Sequence, residues 1–174
     1  MKPVKPMKSP KAMSFKGITA AVLTVSDSCA KGIREDESGK CLVRLLRARG
    51  AHVLREEIVA DNKKKIAGLL RFIADELRIK LILTSGGTGL SPRDVTPEAT
   101  REVIEKEVPG IAEFSRLEGL RHTKYAVLSR SVAGVRKNTL IINLPGSPKG
   151  AEESFAAIAD IIPHAFAMIR GEGH

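Results

Sequence analysis

At 174 residues the chain is long enough for one domain with a substantial core and hardly long enough for two. An apolar share of 43% with 28% charged residues is that of a globular protein, and no apolar run approaches the length of a bilayer span. The net charge of +9 comes with 3% aromatics, no tryptophan and basic residues interleaved with acidic ones, which disfavours a nucleic-acid or membrane partner and favours a polyanionic small molecule.

Residues 1–13 read as a basic, Pro/Lys-rich leader carrying Lys2, Lys5, Lys8 and Lys11 without an apolar export segment, and residues 14–174 as one domain. Ile18 to Val25 reads as a buried strand, and Leu42, Leu45 and Leu46 mark a helix that Gly50 stops. His52 to Val59 is a second strand. Asn62 suits the cap of a helix whose Ile66, Leu69, Leu70, Ile73 and Leu77 fall at helical spacing. Leu81 to Thr84 is a third strand, and a helix starts at Thr96-Pro97, with Thr96 as cap and Glu98 against the positive end of the dipole. Residues 109–124 read as helix and loop. Val127 to Val132 and Thr139 to Leu144 read as strands joined across Ala133 to Asn138. A last helix carries Phe155, Ile158, Ile161, Ile162 and Phe166 and bends at Pro163. The alternation predicts a three-layer α/β/α domain around a mostly parallel sheet, with one hairpin-like antiparallel excursion. Cys29 and Cys41 show no metal-ligand spacing and suit a reducing, cytoplasmic setting. His52, His122, His164 and His174 are scattered and read as surface or core residues.

The chemistry collects at strand ends. Gly86-Gly87-Thr88-Gly89 follows the third strand and leads through Arg93 and Asp94 to a helix, which is the pattern of a phosphate-handling loop. It is neither Gly-x-Gly-x-x-Gly nor a Walker A loop, because no Gly-Lys-Ser/Thr follows. Arg93 is suited to grip phosphate and Asp94 to hold a divalent metal. Ser26-Asp27-Ser28-Cys29, Asp61-Asn62 and Asn143 to Gly150 also follow apolar strands. In a parallel sheet these ends lie on one edge and converge on one crevice.

The segments Thr24 to Cys29, Gly86 to Gly89, Pro92 to Thr100, Leu128-Ser129-Arg130 and Leu140 to Ser147 resemble the molybdenum-cofactor biosynthesis family, which includes bacterial molybdopterin adenylyltransferase and the G domain of gephyrin. The resemblance covers about residues 17–170. It implies a molybdopterin-binding-domain-like fold and ATP-dependent adenylylation of molybdopterin with release of pyrophosphate, assisted by Mg2+. It implies Asp61 and Asp94 as catalytic carboxylates, Asp94 also as metal ligand. Ser26, Asp27, Ser28, Cys29, Gly86, Gly87, Asn143, Leu144, Gly146, Ser147 and Lys149 fall to the nucleotide side. Ser85, Thr88, Gly89, Arg93 and Thr96 fall to the pterin-phosphate side. For Cys29 a packing role competes with this, for Lys149 a plain surface position, and for Asp61, Asp94 and Asp27 a local turn or loop bond. A homotrimer and a downstream molybdate-insertion protein are further implications. Two alternatives share the motifs: the paralogues known as cofactor-biosynthesis protein B, which bind the pterin, and a non-enzymatic scaffold. Ser147 to Glu153 and Val135 to Leu140 lean toward the adenylyltransferase and gephyrin pattern.

Overall fold

The computed structural model describes residues 13–172, so the expected leader lies outside them apart from Met13. Strands β1 (Thr19–Val25), β2 (His52–Val59), β3 (Leu81–Ser85), β4 (Lys106–Glu107), β5 (Ala133–Arg136) and β6 (Thr139–Leu144) form one sheet in the order β2-β1-β3-β6-β5-β4. The β2-β1, β1-β3 and β3-β6 pairs are parallel, and the β6-β5 and β5-β4 pairs antiparallel. Helices α1 (Asp27–Ala30), α2 (Glu37–Ala48), α3 (Lys63–Asp75), α4 (Thr96–Val103), α5 (Pro109–Gly119), α6 (Pro148–Ile158) and α7 (Ile162–Ile169) fill the connections.

The central strands are apolar on both faces, which is why they read as continuous hydrophobic runs. Ala20 and Val22 of β1, Leu81 and Leu83 of β3, and Leu140 and Ile142 of β6 face a core built with Leu42 and Leu46 of α2, Phe155 of α6 and Phe166 of α7. Ala21, Leu23, Ile82 and Ile141 face the opposite core, closed by Ile66, Leu70 and Ile73 of α3 and Val103 of α4. Each such leucine or isoleucine contributes roughly 2 kcal/mol over an exposed one. Among the described residues no helix is long and apolar enough to cross a membrane. The three-layer architecture with its antiparallel extension is the one expected.

Helix caps follow the sequence at several points. The Asn62 side chain accepts from the Lys65 amide at 3.0 Å, and the Ser147 hydroxyl accepts from the Gly150 amide at 3.1 Å, with Pro148 in the first turn. Gly50, at φ +88, follows the end of α2.

Three expectations need correction. Residues 127–132 form no strand: Lys124–Leu128 is a 3-10 turn whose Val127 and Leu128 are exposed. Pairing begins at Ala133 because the hairpin closes tightly over Lys137 and Asn138, setting Arg136 opposite Thr139 and Ala133 opposite Ile142. The turn holds Lys137 at φ +50 without the glycine that would have announced it. The last helix is two helices, since α6 stops at Ile158 and a 3-10 turn, Ala159–Ile161, precedes α7. Pro163 then sits in the first turn of α7, where a missing N–H breaks no helical bond. Finally, Thr96 is the first residue of α4 rather than its cap; the capping position is Val95, which makes no side-chain cap bond.

Candidate active site

At the carboxyl edge of the sheet the ends of β1, β2, β3 and β6 meet. Gly86 leaves β3 at φ +101, donates its N–H to the Leu144 carbonyl at 3.1 Å, and lies so close to the Val25 carbonyl that a Cβ would collide with it. Gly87 follows at φ +64 against the Thr96 hydroxyl. These backbone angles are the ones glycine reaches without strain. Thr96 locks the turn, donating its hydroxyl to Gly86 O at 2.9 Å and its N–H to Gly87 O at 3.1 Å. The result is a crevice of about 380 Å3 walled by Ser26, Asp61, Gly86, Gly87, Asp94, Gly146 and Ser147, with Arg34 and Ser38 on the far side.

Asp27 and Asp61 bind each other's backbone. The Asp27 N–H donates to Asp61 Oδ2 at 2.8 Å, and the Asp61 N–H donates to Asp27 Oδ1 at 3.1 Å. Arg93 bridges to Asp27 Oδ2 through Nε at 3.1 Å and through Nη2. That guanidinium holds the Asp27 carboxyl below the usual carboxylate range. Asp61 shifts the other way: burial pushes it up, and the charges of Asp27 and Asp94 add to the rise against the Asp27 N–H and Arg93. Asp94 takes the Ser91 N–H on Oδ2 at 2.8 Å and packs over Gly89. This is the local loop bond weighed as the alternative role for Asp94, and it leaves Oδ1 available. Among the described residues neither Asp61 nor Asp94 pairs with a lysine or arginine. Nor do three His, Cys, Asp or Glu side chains converge there as a ready-made metal site. Two carboxylates facing one crevice fit Mg2+, which is commonly held by one or two carboxylates with substrate phosphates and water completing its octahedron.

Several expected contacts are not in the crevice. Asn143 is 2% exposed and commits its amide to Thr84 and Thr100 hydroxyls, both at 2.9 Å, while Oδ1 accepts from the Val132 N–H at 3.2 Å. Leu144 is buried and offers the site only its carbonyl, already bonded to Gly86. Cys29 is buried, at 7% exposure. The Ser85 hydroxyl donates to Pro145 O at 2.9 Å, although Ser85 borders the crevice, and Thr96 has no exposed surface and braces the loop. Lys149 stands on the outer surface of α6, beside Glu153 at 3.8 Å. Ser26, Asp61, Gly86, Gly87, Asp94, Gly146 and Ser147 are brought together as expected. Asp27 and Arg93 flank them, and Ser28 bonds the Ser26 hydroxyl at 3.0 Å.

Sequence reasoning missed Arg34 and Ser38, which no strand end announces, and a second groove. The latter, about 440 Å3, lies between the loop, α5, the 3-10 turn and α6; Thr88, Gly89, Arg116, Tyr125, Ser129 and Ser131 line it, and it shares Ser147 with the first crevice. Arg116 donates to the carbonyls of Ser129 and Ser131 at 3.3 and 3.2 Å. Thr88 and Gly89 therefore line this side of the loop, with Gly89 packed against the Asp94 carboxylate.

A protein-family model described as "Probable molybdopterin binding domain" matches residues 21–164. The chain is 44% identical over 156 residues to the molybdenum cofactor synthesis protein cinnamon of Drosophila melanogaster, covering 89% of this chain but 26% of that protein. It is 42% identical over 156 residues to a molybdopterin adenylyltransferase of Helicobacter pylori, covering 88% of this chain and 89% of that one. Among solved structures, the molybdopterin biosynthesis enzyme MoaB of Thermus thermophilus superposes with a TM-score of 0.83 at 50% identity, covering 88% of this chain and 97% of that one.

Proposed function

This chain belongs to the molybdopterin-binding-domain family of molybdenum cofactor biosynthesis, and we propose that within it the chain adenylylates molybdopterin at the expense of ATP. One observation carries the reading: Asp61 and Asp94, from two strand ends, face a single crevice without a cationic partner among the described residues, beside backbone that glycine opens to phosphate. The name of the Helicobacter pylori relative, which matches over most of both chains, supports it.

In the proposed reaction a terminal phosphate oxygen of molybdopterin attacks the α-phosphorus of ATP. A phosphorus–oxygen bond forms, the α–β bridging bond breaks, and pyrophosphate leaves with the electron pair. The crevice takes the nucleotide phosphates, and the groove beyond Thr88 and Gly89 takes the pterin, so the Gly86–Asp94 loop stands between the two reactants. Asp61 and Asp94 would hold Mg2+, which supplies neutralisation of phosphate charge when bound. Ser147 touches both cavities at the start of α6, where free amides and the helix dipole favour an anion. Asp27, bridged by Arg93 and holding the Asp61 backbone, orients the carboxylate rather than meeting phosphate itself. Transfer of this kind needs positioning and charge stabilisation more than covalent chemistry.

A second reading has its own support, the 50% identity to a MoaB structure: a paralogue that binds the pterin without turnover. Incubation with molybdopterin, ATP and Mg2+ separates the two. Adenylylated pterin and pyrophosphate in equal amounts support the first; pterin binding without product supports the second. Assembly as a homotrimer and hand-over to a molybdate-insertion protein belong to the same proposal, and a solution mass measurement tests the trimer.

A further inference from the structure

We propose that Arg130, which lines neither of the two cavities, is the positioning residue that fixes the Asp94 carboxylate; this rests on the adenylyl-transfer reading for its catalytic meaning. Arg130 belongs to the segment between the 3-10 turn and β5, remote in sequence from the loop it grips. Its Nε donates to Gly89 O at 2.6 Å, its Nη2 to Asp94 O at 2.6 Å, and its own backbone N–H to Thr88 O at 3.0 Å. Its Nη1 bridges to Glu98 in the first turn of α4. One planar fork thus ties both ends of the Gly89–Asp94 excursion to the helix that follows it.

Outside Arg130, the excursion is tied down at Arg93, which bridges to Asp27. Its internal bonds, Asp94 N–H to Ser91 O at 2.9 Å and Ser91 N–H to Asp94 Oδ2 at 2.8 Å, hold its shape but not its place. Gly89 is where place matters, since a Cβ there would stand 2.9 Å from Asp94 Oδ2. Arg130 grips the carbonyls on either side of that contact, so the carboxylate direction follows the guanidinium plane. A lysine ammonium is a single point and cannot span the two carbonyls in one plane. Glu98 supplies the counter-charge: burial, the largest influence, pushes its carboxyl up, but the Arg130 hydrogen bond, its own backbone N–H and the charges of Arg130 and Arg101 together hold it below the usual range. Ser129 and Ser131, on either side of Arg130, line the second groove, so the same residue links the proposed pterin wall to the carboxylate.

The test uses the full-length chain, Arg130→Lys and Arg130→Gly. In the assay with molybdopterin, ATP and Mg2+, kcat of Arg130→Lys should fall about 10- to 100-fold with KM for ATP little changed, the scale on which outer residues affect a metal-linked site. Added guanidinium should restore part of the activity of Arg130→Gly but not of the wild type. Independently of turnover, amide exchange at Ser91 and Asp94 should accelerate in Arg130→Lys while the melting temperature stays near that of the wild type. Wild-type kcat in Arg130→Lys, or unaltered exchange at Ser91 and Asp94, overturns the inference. A wild-type chain that makes no product sinks the adenylyl-transfer reading instead, and the exchange measurement then decides on the clamp alone.

Discussion

Asn143 is the residue on which sequence and structure disagree most sharply, and Asn143→Ala decides between them. The motif position implies a nucleotide contact, whereas the side chain is buried and bonded to Thr84 of β3, Thr100 of α4 and the Val132 amide ahead of β5. Truncation removes all three bonds and strands the Val132 N–H away from water. At about 1 kcal/mol for each bond, with the orphaned amide at the upper end, the loss comes to about 3 kcal/mol. For a domain of this size that corresponds to a fall in melting temperature of about 9 °C. Calorimetry or circular dichroism reads the melt, and ATP titration well below it reads the affinity. The structural role predicts the full drop in melting temperature with ATP affinity within a factor of about 3 of wild type, well short of the tenfold that 1.4 kcal/mol represents. An unchanged melt with lost ATP binding would refute it and return Asn143 to the nucleotide site.

Asp94→Asn should lower turnover by about 100-fold or more, as loss of a preorganised charge does, and leave the melt nearly unchanged; near-normal turnover would remove Asp94 from the mechanism. Asp61→Asn should lose turnover similarly but melt at or above the wild type at pH 7. The Asp61 carboxyl is raised in the fold, so its favourable linkage holds below the unfolded value of 3.8 and is lost as pH rises through the folded value, leaving a charged and disfavoured group at neutrality. Asp75 runs the opposite way: hydrogen bonds from Arg136 and then Lys137 lower it to about 2. Its contribution is present above the unfolded value of 3.8 and lost as pH falls through about 2, so the melting curves of wild type and Asp75→Asn should differ at pH 7 and converge in that acid range. Gly86→Ala, at φ +101 against the Val25 carbonyl, should cost about 2 kcal/mol or more and abolish ATP binding; a melt like wild type would contradict the close approach described for that turn.

The parallel core was legible because each central strand is apolar on both faces and bounded by turn residues, and four strand ends announced one crevice. The hairpin was misplaced because the αL position at Lys137 carries no glycine, so nothing in the pattern located the turn. Strand β4 was missed for a related reason: two charged residues, Lys106 and Glu107, pair at a solvent-exposed edge where burial leaves no mark on the sequence. Within the site, backbone-dictated residues such as Gly86 and Gly87 could be read from composition alone. The division of polar residues into those facing the crevice and those bracing it could not. Asn143, Ser85 and Thr96 look as chemically able as Ser26 or Asp94, and only their partners reveal that their hydrogen-bonding capacity is taken up inside the fold.

That division also accounts for where charge is left unbalanced. Asp27 is bridged by Arg93, Glu98 by Arg130 and Asp75 by Arg136, and each of these carboxyls is lowered in consequence. Asp61 receives no such partner; the nearest arginine acts on it only at a distance, through the pairing with Asp27, and Asp61 is raised. Arg93 and Arg130 were therefore available at the crevice edge of the sheet, and the geometry directs them to the carboxylates of Asp27 and Glu98 instead of to those that face the crevice. A fold selected for stability alone would gain from neutralising Asp61, the one carboxylate here whose ionisation it opposes. Leaving it without a cationic partner makes sense if a cation and polyphosphate complete the balance on binding.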